Sequence, residues 1–211
     1  MSNNLKAAFQ EAYDKRIWTA EGDVSVSGSG SEMRHAKTIG LKLDAFCKIN
    51  SVKSIVDCPC GDYNWQHLFN VEEMLYVGYD IVPQIVATNK QSHPNIDFHV
   101  GDVTETNFGT ADLIVVRDCL VHLSNEQTVA ALKNIAGQDI KFAAITHFGD
   151  MAQNEQTIAP RWRAMNLLIA PYNLPQPKEI LIEECTEANG LFPDKSLAVY
   201  EVAKLKEFFN L

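Results

Sequence analysis

The sequence predicts an α/β fold, a mostly parallel sheet with helices on both faces, preceded by a helical N-terminal extension. Three observations predict it. Short apolar runs alternate with amphipathic stretches between residues 53 and 146. The run Leu113-Ile114-Val115-Val116 is continuously apolar, as in a strand buried on both faces. Successive runs end on carboxylates, at Asp57, Asp80, Asp102 and Asp118.

Leu5, Phe9, Tyr13 and Ile17 recur at helical spacing, with Trp18 near the end of that first helix. Glu21-Gly22-Asp23 breaks the pattern, and the Ser/Gly-rich stretch Val24–Ser31 reads as a mobile loop, a candidate lid. Ser29 with Glu32 has the spacing of a capping box for a second helix, which would bury Ala36, Ile39, Leu43 and Phe46. Strands are expected at 53–57, 74–79, 96–100, 112–117 and 142–146, with a short helix near 64–69 and another from Pro83 to about Lys90. Ser124 and Gln127 form a second capping box, opening a helix that presents Val129, Leu132 and Ile135. Residues 148–177 are punctuated by Pro160, Pro171, Pro175 and Pro177 and read as a loose segment. Strands at 179–184 and 196–202 then form an antiparallel pair, with a turn signal at Asn189-Gly190.

The bulk properties narrow the function classes. A chain of 211 residues with 46% hydrophobic and 21% charged residues fits one soluble domain with ample core. No apolar run reaches membrane-spanning length, and residues 1–6 lack the apolar core of a signal peptide, so a cytoplasmic location is the expectation. A formal net charge of -9 disfavours a nucleic-acid partner and leaves small molecules, glycans or a protein. The five cysteines are scattered, which disfavours a disulfide framework, and the C-x-C of Cys58 and Cys60 has no second pair at zinc-site spacing.

In an open parallel sheet the ligand lies beyond the carboxyl ends of the strands, where strand order reverses. The stretch Val56-Asp57-Cys58-Pro59-Cys60-Gly61-Asp62 is a strand running into a small-residue turn. A carboxylate there can accept from the two hydroxyls of a ribose or from the exocyclic amine of adenine, and Asp80 and Asp102 are placed for these tasks.

Over roughly residues 50–205 the chain resembles the class I S-adenosylmethionine-dependent methyltransferases. The family's glycine-rich first motif looks like Val56–Asp62, its ribose-binding acid matches Asp80 beside Ile81, and its adenine-side acid matches Asp102 beside Val103. Arg117-Asp118-Cys119-Leu120-Val121-His122 matches the fourth strand end. The resemblance implies a Rossmann-like sheet of seven strands with the last antiparallel, S-adenosylmethionine as cofactor, and one domain over 1–211, divided into N-terminal helices and lid (1–50) and core (51–211). Its implied cofactor-binding set is Asp57, Cys58, Pro59, Gly61, Asp80, Ile81, Asp102, Val103 and Arg117. The motif departs from the family at Pro59 and Tyr63, where glycine is usual. A pyrophosphate needs that close backbone approach and a sulfonium nucleoside does not, so the departure weighs against a nicotinamide-dependent oxidoreductase. The string Cys58–Trp65 also resembles a subgroup of glycan-modifying methyltransferases, implying a sugar or glycan hydroxyl as acceptor.

Methylating a hydroxyl needs a base for its proton, and Asp118, His122 and His147 each follow a strand on the expected ligand side. Arg161, Arg163 and Tyr172 are candidates for holding the acceptor, the arginines through acidic groups and the tyrosine through a ring face. His147 with Asp150 leaves a metal site open without supporting one. A cofactor-binding module without catalysis, acting through a protein partner, is the non-enzymatic alternative.

Overall fold

The computed structural model describes residues 2–69 and 74–211; Met1, at the head of the N-terminal stretch, lies outside them. Helices α1 (Ser2–Asp14) and α2 (Met33–Ile49) precede β1 (Ser54–Asp57). There follow β2 (Leu75–Asp80), α3 (Pro83–Ser92), β3 (Asp97–Val100), β4 (Thr110–Val116), α4 (Asn125–Ala136) and β5 (Asp139–Phe148). The chain ends with β6 (Glu179–Ile182), β7 (Lys195–Glu201) and α5 (Val202–Phe209).

The seven strands form one sheet in the order β3-β2-β1-β4-β5-β7-β6. The pairs β1–β2, β1–β4, β2–β3 and β4–β5 are parallel, whereas β7 is antiparallel to both β5 and β6. The expected seven strands with a reversed last strand are therefore present. Strand order reverses between β1 and β4, which places the switch point where the small-residue turn follows β1.

The apolar strands sort their side chains by a period of two. Val56, Ile114, Val116, Ala143, Ile145 and Tyr200 point into one core layer with α4 and α5. Ile55, Leu113, Val115, Phe142, Ala144 and Val199 point into the other with α2. Every one of these side chains is buried, so the central strands have no solvent face.

Helix α2 buries Ala36, Ile39, Leu43 and Phe46 as expected. At the start of α4 the Ser124–Gln127 capping box forms reciprocally: Gln127 N donates to Ser124 Oγ at 3.2 Å and Ser124 N to Gln127 Oε1 at 2.9 Å. The expected Ser29–Glu32 box does not form. Ser29–Ser31 make a 3-10 turn and Glu32 takes the N-cap position of α2 without a side-chain bond to the helix, while Ser29 Oγ donates to Asp23 Oδ2 at 2.5 Å. Residues 64–69 tighten only to a 3-10 turn at Gln66–Leu68, and the first helix stops at Asp14, three residues before Ile17. The loose segment has no strand or helix between residues 149 and 178, yet Met165, Leu167, Tyr172 and Leu174 anchor it in the core. No helix among the described residues is long and apolar enough to cross a membrane.

Candidate active site

The turn after β1 is strung between two neighbouring strands. Cys58 N donates to Val115 O at 3.0 Å and Cys60 N to Tyr79 O at 2.7 Å. Gly61 sits at φ +54°, and a Cβ there would lie 2.5 Å from Ser27 Oγ. Glycine is needed at this position for both reasons. Asn89 Nδ2 donates to Gly61 O at 2.7 Å, fixing the turn from α3.

The Val24–Ser31 segment is fastened to this turn. The Asp62 carboxylate accepts from Ser25 Oγ at 3.0 Å and Val26 N at 2.7 Å, and Asp62 N donates to Ser27 Oγ at 2.8 Å. Glu32 Oε1 accepts from Val24 N at 2.7 Å and Ser25 N at 2.6 Å. The expected mobile loop is thus a pinned cover, because two acidic side chains satisfy its backbone amides.

Beneath the cover lies a cleft of about 910 Å³, counting its open mouth. Cys58, Pro59, Gly61, Asp80, Ile81, Asp102, Val103 and Arg117 line it, as the resemblance implies. Asp57 does not. Its Oδ2 accepts from Gln66 Nε2 at 2.8 Å and Tyr76 OH at 2.7 Å, and burial pushes its pKa up to about 7. Asp57 braces the turn from below.

The two remaining acids keep acceptor capacity facing the cleft. Asp80 accepts from Gly61 N at 3.2 Å and Val82 N at 2.8 Å, one bond per oxygen, and burial raises its pKa to about 6. Asp102 Oδ1 accepts from Thr104 N at 2.9 Å and Thr104 Oγ1 at 2.7 Å, while its buried Oδ2 has no partner. An unpaired buried carboxylate oxygen calls for a donor, and adenine's amine is one. These residues fit an adenosine-bearing cofactor.

A second cavity, of about 1390 Å³, adjoins the cleft and shares the wall made by Trp18, Ser27, Ser31, Asp118 and His122. Asp118 follows β4 at φ +52°. Its Oδ2 accepts from Lys195 Nζ at 2.8 Å and lies 3.4 Å from Arg117 Nη1. Burial alone would raise its pKa, but Lys195 and then Arg117 override burial and hold it down to about 2. With Oδ2 engaged by two cations, Asp118 is the weaker proton acceptor of the two candidates on this wall.

His122 stands on the 3-10 turn Leu120–His122. Its Nδ1 lies 3.0 Å from Pro160 O, which assigns the ring proton to Nδ1 and leaves the Nε2 lone pair as the acceptor. Burial is the largest influence on it and brings its pKa down to about 4, so the imidazole is neutral at pH 7. The rings of Trp18 and Phe9 pack against it, with centroids 4.9 and 6.2 Å away.

The other four expectations are corrected. His147 lines neither cavity; its Nδ1 accepts from Leu167 N at 3.2 Å within the core. Arg161 is exposed and also lines neither cavity. Arg163 is buried, and its Nη2 donates to Leu123 O and to Tyr172 OH, each at 2.8 Å. Tyr172 OH in turn donates to Asn125 Oδ1 at 2.6 Å, so both residues pin the loose segment to the start of α4. Among the described residues no three His, Cys, Asp or Glu side chains are grouped to hold a metal ion.

A buried ion network was missed. Arg117 donates to both oxygens of Glu183, at 3.0 and 2.8 Å, and to Gly30 O at 2.9 Å. Lys195 Nζ lies 2.8 Å from Glu187 Oε2 and 3.5 Å from Glu183 Oε2. The signal was available: Glu183 and Lys195 are charged residues adjoining apolar strand runs, and buried charges come paired.

Residues 55–138 match the family described as methyltransferase domain. No curated protein matches the chain by sequence. Among solved structures, the chain is similar to magnesium protoporphyrin IX methyltransferase from Synechocystis PCC 6803. The form with bound S-adenosylhomocysteine is 14% identical with a TM-score of 0.56, over 72% of this chain and 74% of that one. The form with bound S-adenosylmethionine is 16% identical with a TM-score of 0.55, over 74% and 79%. The N-methyltransferase NodS from Bradyrhizobium japonicum WM9 is 14% identical with a TM-score of 0.50, over 66% and 72%. At such identities the likeness speaks for the fold. Taken with the methyltransferase domain matched over residues 55–138, it gives this chain the Rossmann-like fold of the class I S-adenosylmethionine-dependent methyltransferases.

Proposed function

We propose that the chain transfers a methyl group from S-adenosylmethionine to a hydroxyl of a small acceptor, a sugar or glycan hydroxyl in particular. One observation carries the choice of a hydroxyl: a neutral imidazole, His122, on the wall shared by the cofactor cleft and a second cavity. Aromatic residues of that second cavity, Trp162 and Phe192, support a sugar ring, which stacks an apolar face on aromatic rings and offers hydroxyls at its edge. In this reading residues 51–211 are the catalytic core, residues 1–50 cover it, and the setting is the cytoplasm.

Asp80 would hold the ribose hydroxyls and Asp102 Oδ2 the adenine amine. Bound there, the cofactor supplies a methyl already activated on sulfur, so the protein's task is to position and desolvate the pair. His122 Nε2 takes the hydroxyl proton as the oxygen attacks, and the Pro160 carbonyl stabilises the charge that then appears on the ring. The hydroxyl proton becomes acidic as its oxygen gains the methyl, so a base with a pKa of about 4 suffices. Phe9 and Trp18 keep water from the imidazole.

Calorimetry with S-adenosylhomocysteine tests the cofactor assignment. Binding is expected, weakened in Asp80→Ala, with none for NAD. A labelled-methyl screen over sugars and glycans tests the acceptor. No binding at millimolar ligand, or unchanged binding in Asp80→Ala, would overturn the first part; labelling only of amines would overturn the second.

A further inference from the structure

The charges around the second cavity bear on what enters it. Its lining includes two full cations, Arg34 and Lys195, and two carboxylates, Asp118 and Glu187. Lys195 is already engaged with Asp118, Glu187 and Glu183. Arg34 pairs with Asp23 through Nη2 and lies 3.5 Å from Glu32 through Nη1. Behind the lining, then, three further carboxylates face these two cations, alongside the guanidinium of Arg117, itself clamped by Glu183. Neither cation is left over for an anionic ligand.

Another part of the lining is aromatic. Trp162 packs on Phe148 and Phe192, with ring centroids 5.7 and 5.1 Å away, and is 44% exposed. Such a lining recognises a ring face without asking for charge.

Resting on the proposed function, we infer that the acceptor is an uncharged molecule, a hydroxyl-bearing ring, and that phosphorylated or carboxylated counterparts are rejected at this cavity. An anion entering it meets Asp118 and Glu187 without an unpaired cation, and like charges brought together in a partly desolvated space repel.

Saturation-transfer NMR on the full chain, with and without S-adenosylhomocysteine, tests this on matched probes: neutral methyl glycosides, their 6-phosphates and the corresponding uronates. The neutral probes are expected to bind at least about tenfold more tightly than either anion. In Glu187→Gln the discrimination is expected to narrow about fivefold, the effect of removing one charge across a partly solvated cavity. Equal or tighter binding of an anionic probe by the wild type would overturn the inference. So would failure of every probe to bind. Neither result touches the cofactor assignment, which S-adenosylhomocysteine calorimetry reads separately.

Discussion

The neutrality of His122 can be tested through the pH dependence of turnover. A solvent-exposed histidine titrates near 6.5, whereas burial brings His122 down to about 4. At pH 5.5 about 97% of His122 is then unprotonated, against roughly 9% of an ordinary imidazole, a difference of about tenfold in active base. The quantity to measure is kcat with cofactor and acceptor both saturating, because it reports groups in the bound complex. Asp80, with a pKa of about 6 in the free protein, would otherwise add its own fall to kcat/KM. The expected profile is flat from pH 8 to 5 and falls with a midpoint near 4. His122→Gln should lose about 10²- to 10⁴-fold in kcat. It should leave S-adenosylhomocysteine affinity within about threefold, since no direct bond to that ligand is assigned to it. A midpoint near 6.5, or a profile unchanged in the variant, would refute the assignment. The same shift enters stability: between pH 6.5 and 4 the unfolded chain protonates this histidine while the folded one does not. Its contribution is therefore complete above 6.5 and falls by about 3 kcal/mol on going down to pH 4. Asp57 and Asp80, with raised pKa values, work in the opposite direction over that window, so the comparison must be made against His122→Gln.

Asp102→Ala removes a buried, unpaired carboxylate oxygen of the cleft and should weaken S-adenosylhomocysteine by roughly 10- to 100-fold by calorimetry, the value of one charge-assisted hydrogen bond. Arg163→Met should lower stability by about 2–4 kcal/mol in a denaturant melt while kcat/KM below the transition stays within about twofold, because the guanidinium fastens a segment and touches neither cavity. A rise in acceptor KM in that variant would restore Arg163 to the binding site. Lys195→Met removes a cation that opposes protonation of His122 and uncovers Asp118, so the midpoint of the kcat profile should move up by about one unit.

The sheet was legible because burial on both faces leaves a plain mark. The run at 113–116 admits no polar residue, and the strand ends carry the acids that a cofactor needs. The cofactor cleft was legible for the same reason: topology alone brings the turn after β1 beside the ends of β2, β3 and β4. The acceptor side was not. Arg163 and Tyr172 look like binding groups in sequence, yet their partners, Leu123 and Asn125, come from about 40 residues away and decide their role. Asp57 shares its residue type and strand-end position with Asp80, and only Tyr76 and Gln66 beneath it show that its carboxyl is occupied. Helix α5 was overlooked because Val202 and Leu205, its two buried positions, are too few to set a period.

The ion network explains why the shared wall works as a unit. Burying Arg117, Glu183 and Lys195 around a partly buried Asp118 costs desolvation that apolar side chains would avoid, so stability alone does not account for them. Pairing offsets that cost: Lys195 Nζ has three carboxylates within reach, and Arg117 grips both oxygens of Glu183. Apolar residues in place of Arg117, Glu183 and Lys195 could fill the space but would leave Asp118 uncompensated beside His122. An uncompensated carboxylate there would favour imidazolium and take away the base. Compensated by Lys195 and Arg117, it leaves burial to decide the state of His122. The same pairing uses up the cations that an anionic acceptor would seek. One network from β4 to β7 therefore sets two properties together: the base stays neutral, and the cavity it faces favours uncharged molecules.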